Sequence, residues 1–215
     1  MDITTLFKLS SGLYIIGVKD EGKGFAGCVV NTVLQTTAKP VTLSVCINKD
    51  NYTNACIKKA KAFTVSILSQ QVNETVIGTF GFHSSRDTDK FSKAPYDLSP
   101  SGITYLKEGV TGYIQCKVID SIDIYTHTIF TAEVEEAQNI SNEKPLTYDY
   151  YHNVIKGKAP KNASTYVEEN ESKKGSYKCS ICGFEYEGSK EEFEKLHDDF
   201  TCPVCGVAKN LFVPL

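Results

Sequence analysis

The sequence predicts a mainly β protein in two parts: a barrel or sandwich over residues 1–156 and a small metal-knuckle module over residues 177–215. Three observations predict it. Short runs rich in β-branched and aromatic residues, separated by turn residues, dominate the first part, and few helical faces interrupt them. Residues 157–176, GKAPKNASTYVEENESKKGS, are polar, charged and without periodicity, which reads as a linker that leaves the module mobile. The last part holds two C-x-x-C pairs, each followed by glycine.

Residues 2–10 are predicted as a short helix opened by Asp2 and closed near Gly12. Strands follow at 12–19 (GLYIIGVK), 24–32 (GFAGCVVNT), 41–48 (VTLSVCIN) and 62–69 (AFTVSILS), where β-branched and aromatic side chains favour a pleated surface. Residues 50–62 place apolar side chains at 52, 56, 57 and 60, one face of a helix capped by Asp50 or Asn51. Residues 73–82 give a second short helix. Residues 112–140 alternate in polarity and read as two long antiparallel strands, and the aromatic stretch 146–155 reads as a further strand or turn.

Cys179, Cys182, Cys202 and Cys205 form two knuckles. Each spacing lets a tight turn aim two sulfurs at one ion, and Gly183 and Gly206 free the backbone to make that turn. Four thiolates around a tetrahedral ion mean zinc or iron. The loop between the pairs, residues 183–201, also suits a structural zinc ribbon. Tyr177, Phe184, Tyr186, Phe193, Phe200 and Phe212 could instead wrap the ion in a low-dielectric shell that tunes a redox potential. The remaining cysteines, Cys28, Cys46, Cys56 and Cys116, lie among apolar residues and read as small buried hydrophobes.

Composition narrows the partners. The net charge is −3 with no basic block, which argues against nucleic acid and against an anionic membrane surface. No apolar run approaches ~18 residues, so no membrane-spanning helix is expected. The polar N-terminus is unlike a secretion signal, and the expected location is cytoplasmic. Of 23 basic residues only Arg86 is arginine. Its planar fork suits phosphate or carboxylate, and Lys90 lies four residues on. There is no G-x-G-x-x-G and no Walker loop. Three stretches are instead dense in amides, hydroxyls and cations: 31–40 (NTVLQTTAKP), 48–53 (NKDNYT) and 80–91 (FGFHSSRDTDKF). Hydroxyls and N–H groups at a helix start suit a phosphate, although such residues also serve as plain caps and turns.

The motifs carry two resemblances. YKCSICGFEYE and FEKLHDDFTCPVCG resemble the two knuckles of a rubredoxin, which implies a single iron held by Cys179, Cys182, Cys202 and Cys205. The loop is shorter than that family's, and Phe200 stands where it usually has tryptophan. Residues 27–57, FGFHSSRDTDKF and HTIFTAEV (127–134) resemble the flavin reductase-like, FMN-binding split barrel. That resemblance implies a homodimer with FMN near the subunit interface. Asn31, Thr32, Gln35 and Thr37 would line the ring system and ribityl chain. Asn48, Lys49, Tyr52 and Thr53 would approach the phosphate, joined by Ser84, Ser85, Arg86 and Lys90. His127 stands where relatives place a histidine near the flavin; it would position a nicotinamide or supply a proton, or else serve as a structural histidine at a strand start.

The order of the two parts is similar to that of the high-molecular-weight rubredoxins of anaerobes. It implies an NAD(P)H:acceptor oxidoreductase, in which NADH or NADPH reduces FMN, the iron takes electrons singly, and a transient acceptor protein of the flavodiiron type receives them. The acidic stretch 185–199 would meet that partner. Two other readings stay open: a flavin reductase with a structural zinc knuckle, and an FMN and iron carrier that does not react with NADH.

Overall fold

A computed structural model describes residues 3–155, 157, 159–160, 162–166 and 176–215. The proposed Asp2 cap and residues 167–175 of the expected linker lie outside the described residues. In place of a helix over 2–10 there is a 3-10 stretch, Ile3–Lys8. A run of β-branched residues at its start disfavours the full α-helix.

Among the described residues of the first part are nine strands and three α-helices. They are β1 (Tyr14–Asp20), β2 (Gly24–Val30), β3 (Val33–Ala38), β4 (Val41–Asn48), α1 (Tyr52–Ala60), β5 (Ala62–Leu68), α2 (Glu74–Phe82), β6 (Tyr96–Leu98), β7 (Thr104–Leu106), β8 (Val110–Ile124), β9 (His127–Asn139) and α3 (Tyr148–Asn153). Seven strands form one antiparallel sheet in the order β2-β1-β5-β8-β9-β4-β3. Its two edge strands, β2 and β3, are consecutive in the chain, with only Asn31 and Thr32 between them. Three residue steps span at most roughly 10 Å, so the sheet must curl until its edges nearly meet. That closure is the barrel, and it places Asn31 at the seam.

Two corrections to the sequence reading concern β3 and α3. Residues 33–38, part of the polar stretch 31–40 to which the sequence assigned no strand, form an edge strand, their amides and hydroxyls facing solvent while the backbone pairs with β4. Residues 146–155 hold a short helix rather than the expected strand or turn: Thr147 caps it, its side chain accepting from the Tyr150 N–H at 3.2 Å. The caps of α1 and α2 are Asn51 and Asn73.

The barrel interior is packed by Ile16, Val18, Val45, Ile57, Phe63, Val65 and Phe130, all essentially inaccessible. Burying each such side chain contributes about 2 kcal/mol. Cys28, Cys56 and Cys116 are buried in this core as thiols. A second cluster, including Leu13, Ile15, Leu68, Ile77, Phe80 and Tyr151, fixes α2 and α3 against the outside of the sheet. Beyond Lys117, β8 leaves β5 and pairs with β9 alone, so the hairpin tip is an arm carrying exposed Ile119, Ile122, Ile124 and Tyr125. Among the described residues no helix is long and apolar enough to cross a membrane.

The C-terminal module is a three-stranded sheet of β10 (Tyr177–Cys179), β11 (Glu185–Tyr186) and β12 (Phe212–Pro214), in the order β11-β10-β12, with a short helix α4 (Lys190–Glu194). A capping box between Ser189 and Glu192 starts α4.

Candidate functional site

A cavity of about 350 Å³ opens where the barrel seam, the start of α1, the end of α2 and the start of β9 converge. This is within the range of small-molecule sites. Ile47, Ile77, Phe82, Tyr148 and Tyr151 give it apolar and aromatic walls. Asn31, Asn48, Asp50, Asn51, His83, Ser84 and His127 give it polar groups. Flat apolar wall with amides and hydroxyls at its edge is what a flavin needs: a surface for the tricyclic ring and partners for its oxygens and nitrogens.

Of the residues expected at the cofactor, Asn31, Asn48, Tyr52, Ser84 and His127 line this cavity. Thr32 stands beside it and donates to Asn31 Oδ1 at 3.1 Å. Gln35 and Thr37 lie on the solvent face of β3, where Gln35 Nε2 reaches the Thr37 carbonyl and the Thr37 hydroxyl reaches the Pro40 carbonyl. Lys49 is exposed. Thr53 is wholly buried in the first turn of α1. Ser85 is buried too, exchanging hydrogen bonds with the Gly27 backbone at 3.0 Å.

Lys90 is 2% exposed, and its ammonium donates to the Gly27 and Phe80 carbonyls at 2.9 and 3.0 Å. Burial pushes that ammonium down to about 8. The structure therefore places Lys90 as a tie beneath α2, away from the cavity. At the rim, Tyr52 donates to Asp20 Oδ2 at 2.9 Å, which raises the phenol out of its usual range. The Arg86 guanidinium lies 5.7 Å from the Tyr52 ring centre and the Lys23 ammonium 6.0 Å, and Lys23 also donates to the Arg86 carbonyl. These two cations gather positive charge beside Tyr52.

One wall was not legible in the sequence. Ala159, Pro160 and residues 162–165, part of the expected linker, run along the cavity as a strap. Asn48 Nδ2 donates to the Asn162 carbonyl at 3.1 Å, and Asn31 Nδ2 donates to Thr165 Oγ1 at 3.0 Å. The Thr165 hydroxyl also lies 2.6 Å from Tyr148 Oη, which in turn meets His152 Nε2 at 2.9 Å. Cys46 also lines the cavity, half-buried, with its thiol raised by that burial. Small polar residues flanking Pro160 were the available signal for the strap, but their composition is equally that of a loose linker.

The four expected metal ligands come together. The sulfurs of Cys179, Cys182, Cys202 and Cys205 all lie within 4.8 Å of one another, and the four residues are buried. Cys179 and Cys205 sulfurs are 3.6 Å apart, Cys182 and Cys202 3.5 Å. A tetrahedral ion with metal–sulfur bonds of about 2.3 Å sets its sulfurs roughly 3.8 Å apart, so this donor set fits zinc or iron with little adjustment. Gly183 and Gly206 have φ of 77° and 71°, the left-handed region that the knuckle turns require. Their N–H groups donate to the Cys179 and Cys202 carbonyls at 2.9 and 2.8 Å. Cys202 is held far below the usual thiol range, first by the Cys182 thiol and then by Cys205, with the Cys205 and Val204 amides adding to this. Aromatic rings enclose the site: Tyr177 stacks on Phe193 at 4.1 Å, and Phe193, Phe200 and Phe212 have centroids 5.1–5.9 Å apart.

The cavity and the metal site share walls. Ile181, between the two ligands of the first knuckle, lines the cavity. Phe82, at the end of α2, lines it as well and packs against the four-cysteine cluster. The module expected to hang from a mobile linker thus rests on the barrel, with Phe82 packed against its cysteine cluster.

Comparison with known proteins adds the following. Residues 6–154 match the flavin reductase like domain. The chain is 38% identical over 227 residues to the high molecular weight rubredoxin of Moorella thermoacetica, covering 99% of each protein. It is 37% identical over 168 residues to the ferric-chelate reductase (NAD(P)H) of Archaeoglobus fulgidus, covering 78% of this chain and 99% of that one. The solved NADH:FAD oxidoreductase of Streptomyces globisporus C-1027 superposes with a TM-score of 0.60 at 20% identity, over 66% of this chain and 84% of that one, a likeness of fold.

Proposed function

This chain belongs to the flavin reductase-like family, in its high-molecular-weight rubredoxin branch, and from that premise we propose that it is an NAD(P)H:acceptor oxidoreductase that hands electrons to a partner protein. It is an oxidoreductase with FMN and iron as cofactors. When bound, FMN accepts a hydride and can give up its electrons one at a time, and iron held by four thiolates carries one electron. The donor, the partner and their order are the proposal.

The chain's own residues support it as follows. Asn31, Asn48, Asn51 and Ser84 offer amides and hydroxyls to the polar edge of a ring system and its chain. Phe82, Tyr148 and Tyr151 supply apolar surface that excludes water. Arg86 and Lys23, beside Tyr52, are the cations at hand for a phosphate at the rim. His127 ties its Nδ1 to Thr126 Oγ1 at 2.8 Å, which leaves Nε2 as the ring nitrogen for a bound nicotinamide or a proton. Cys179, Cys182, Cys202 and Cys205 hold the iron, and their aromatic shell keeps it from solvent.

The single observation that carries the reading is Ile181: a residue inside the first metal knuckle is also a wall of the flavin-sized cavity. Two redox sites that share a wall are built to exchange electrons. The partner we propose is a flavodiiron-type acceptor, met transiently through the acidic stretch 185–199. The β8 arm, paired with β9 on one edge only and with Ile119, Ile122 and Ile124 exposed, supports a homodimer. The location we propose is cytoplasmic, consistent with Cys28, Cys46, Cys56 and Cys116 remaining free of disulfides.

Anaerobic titration of the loaded protein with NADH, followed by its visible spectrum, tests this reading. Both the flavin and the iron–thiolate bands are expected to bleach. If neither responds to NADH or NADPH while dithionite bleaches both, the chain is a carrier and the donor is another protein.

A further inference from the structure

A very close approach of backbone to backbone joins the two modules. Gly78 sits in the middle of α2 and is buried. A Cβ placed on it would overlap the Val204 carbonyl oxygen and lie 2.6 Å from the Cys205 Cα. Neither is the end of a flexible side chain; both belong to the backbone of the second metal knuckle. Glycine in mid-helix costs about 1 kcal/mol relative to alanine, so local propensity gives no reason for it here. Contact with the knuckle does. One turn further on, Phe82 packs on the same four-cysteine cluster and lines the cavity, and Ile181 meets the cavity from the first knuckle. Three separate points of contact, one from each knuckle and one from the end of α2, thus fix the metal site to one face of the barrel.

We infer that Gly78 is a docking seat: by lacking a side chain it lets the Val204–Cys205 backbone lie on α2, and so holds the metal site of each chain against the cavity wall of that same chain. Exchange between the two sites then runs within one chain. One electron crosses at a time: the donor in the cavity loses it, ferric iron gains it and becomes ferrous, and no bond is made or broken. What is exchanged rests on the function proposed above; the seat itself does not. Gly78 acts as a positioning residue, since nothing it carries touches either cofactor.

The test uses nuclear magnetic resonance of the full-length, flavin-loaded protein, with no nicotinamide present. Paramagnetic iron broadens amide signals close to it, whereas zinc does not. In the natural chain the α2 signals from Ile77 to Phe82 are expected in the zinc form and lost in the iron form. In Gly78→Leu, and in the milder Gly78→Ala, they are expected to return in the iron form while the iron–thiolate absorbance persists. Broadening that survives in both variants, or that is absent from the natural chain, overturns the seat. A mixture of isotope-labelled zinc-loaded chains with unlabelled iron-loaded chains tests whether docking is within one chain. Broadened α2 signals in that mixture would mean the metal site docks on a neighbouring copy, and would overturn the inference. Should the seat hold while NADH fails to reduce the iron, only the proposed function falls.

Discussion

Asn31 at the barrel seam donates its side-chain N–H to the hydroxyl of Thr165, 134 residues later, at 3.0 Å. The same hydroxyl lies 2.6 Å from Tyr148 Oη. Together these bonds hold the strap over the cavity.

Thr165→Val keeps the shape and removes both bonds. Each is worth about 1 kcal/mol, so with both lost the release of FMN is expected to quicken roughly thirtyfold. Stopped-flow recovery of flavin fluorescence measures that rate. An unchanged rate would mean that the strap does not retain the cofactor.

Lys90 gives a pH signature. Its ammonium titrates near 8 in the fold against 10.5 for the free side chain, because burial disfavours the charge. Between those values the unfolded chain holds more protons than the folded one, so this group adds stability as pH rises and carries its full penalty below about 8. The span corresponds to at most about 3 kcal/mol. Lys90→Met is expected to flatten the rise in unfolding free energy between pH 8 and 10. Denaturant titrations at three pH values, compared by slope, check this apart from any change in absolute stability.

Cys202→Ser removes a ligand whose sulfur lies 3.5 Å from that of Cys182. A module this small owes its folding to its metal. Loss of the iron–thiolate bands is expected, with partner reduction by NADH reduced to background while the flavin spectrum remains. Metal analysis and an acceptor-protein assay report the two effects. Partner reduction that survived without the metal would rule out the relay.

Ile122, 59% exposed on the β8 arm, offers apolar surface to a second chain. Ile122→Asp is expected to convert a dimer to monomers in sedimentation velocity at micromolar concentration. If the natural chain sediments as a monomer, the arm serves something else.

The barrel was readable because β1, β2, β4, β5, β8 and β9 are dense in β-branched and aromatic residues, with alternation where one face is wet. β3 escaped because an edge strand whose side chains, Val33 apart, face water shows a polar loop's composition. α3 escaped because three tyrosines read as strand, while the Thr147 cap that decides the matter is a single residue. At the site, the stretches that hold Asn31, Asn48, Tyr52 and Ser84 stood out because loops dense in polar groups beside apolar strands invite a ligand, whereas the individual residues, and His127 altogether, came from the family resemblance. Ser85 and Lys90 share that composition, yet their polar atoms satisfy buried backbone; sequence cannot tell a ligand's partner from a carbonyl's. The strap and Ile181 reach the cavity only through tertiary geometry, which leaves no periodic trace.

The long reach from Asn31 to Thr165 also bears on how the protein is made. A nascent chain emerges from its N-terminus, and the sheet from β1 to β9 is complete by Asn139. The strap that covers the cavity follows later, when much of the metal module is already being synthesised. Acquisition of flavin and of iron are therefore neighbouring events in biogenesis, separated by only the stretch from Thr165 to the last ligand, Cys205. Ribosome-bound chains stalled at successive lengths would report this order: firm flavin retention is expected only once Thr165 has emerged, and retention by shorter chains would show the barrel alone to be enough.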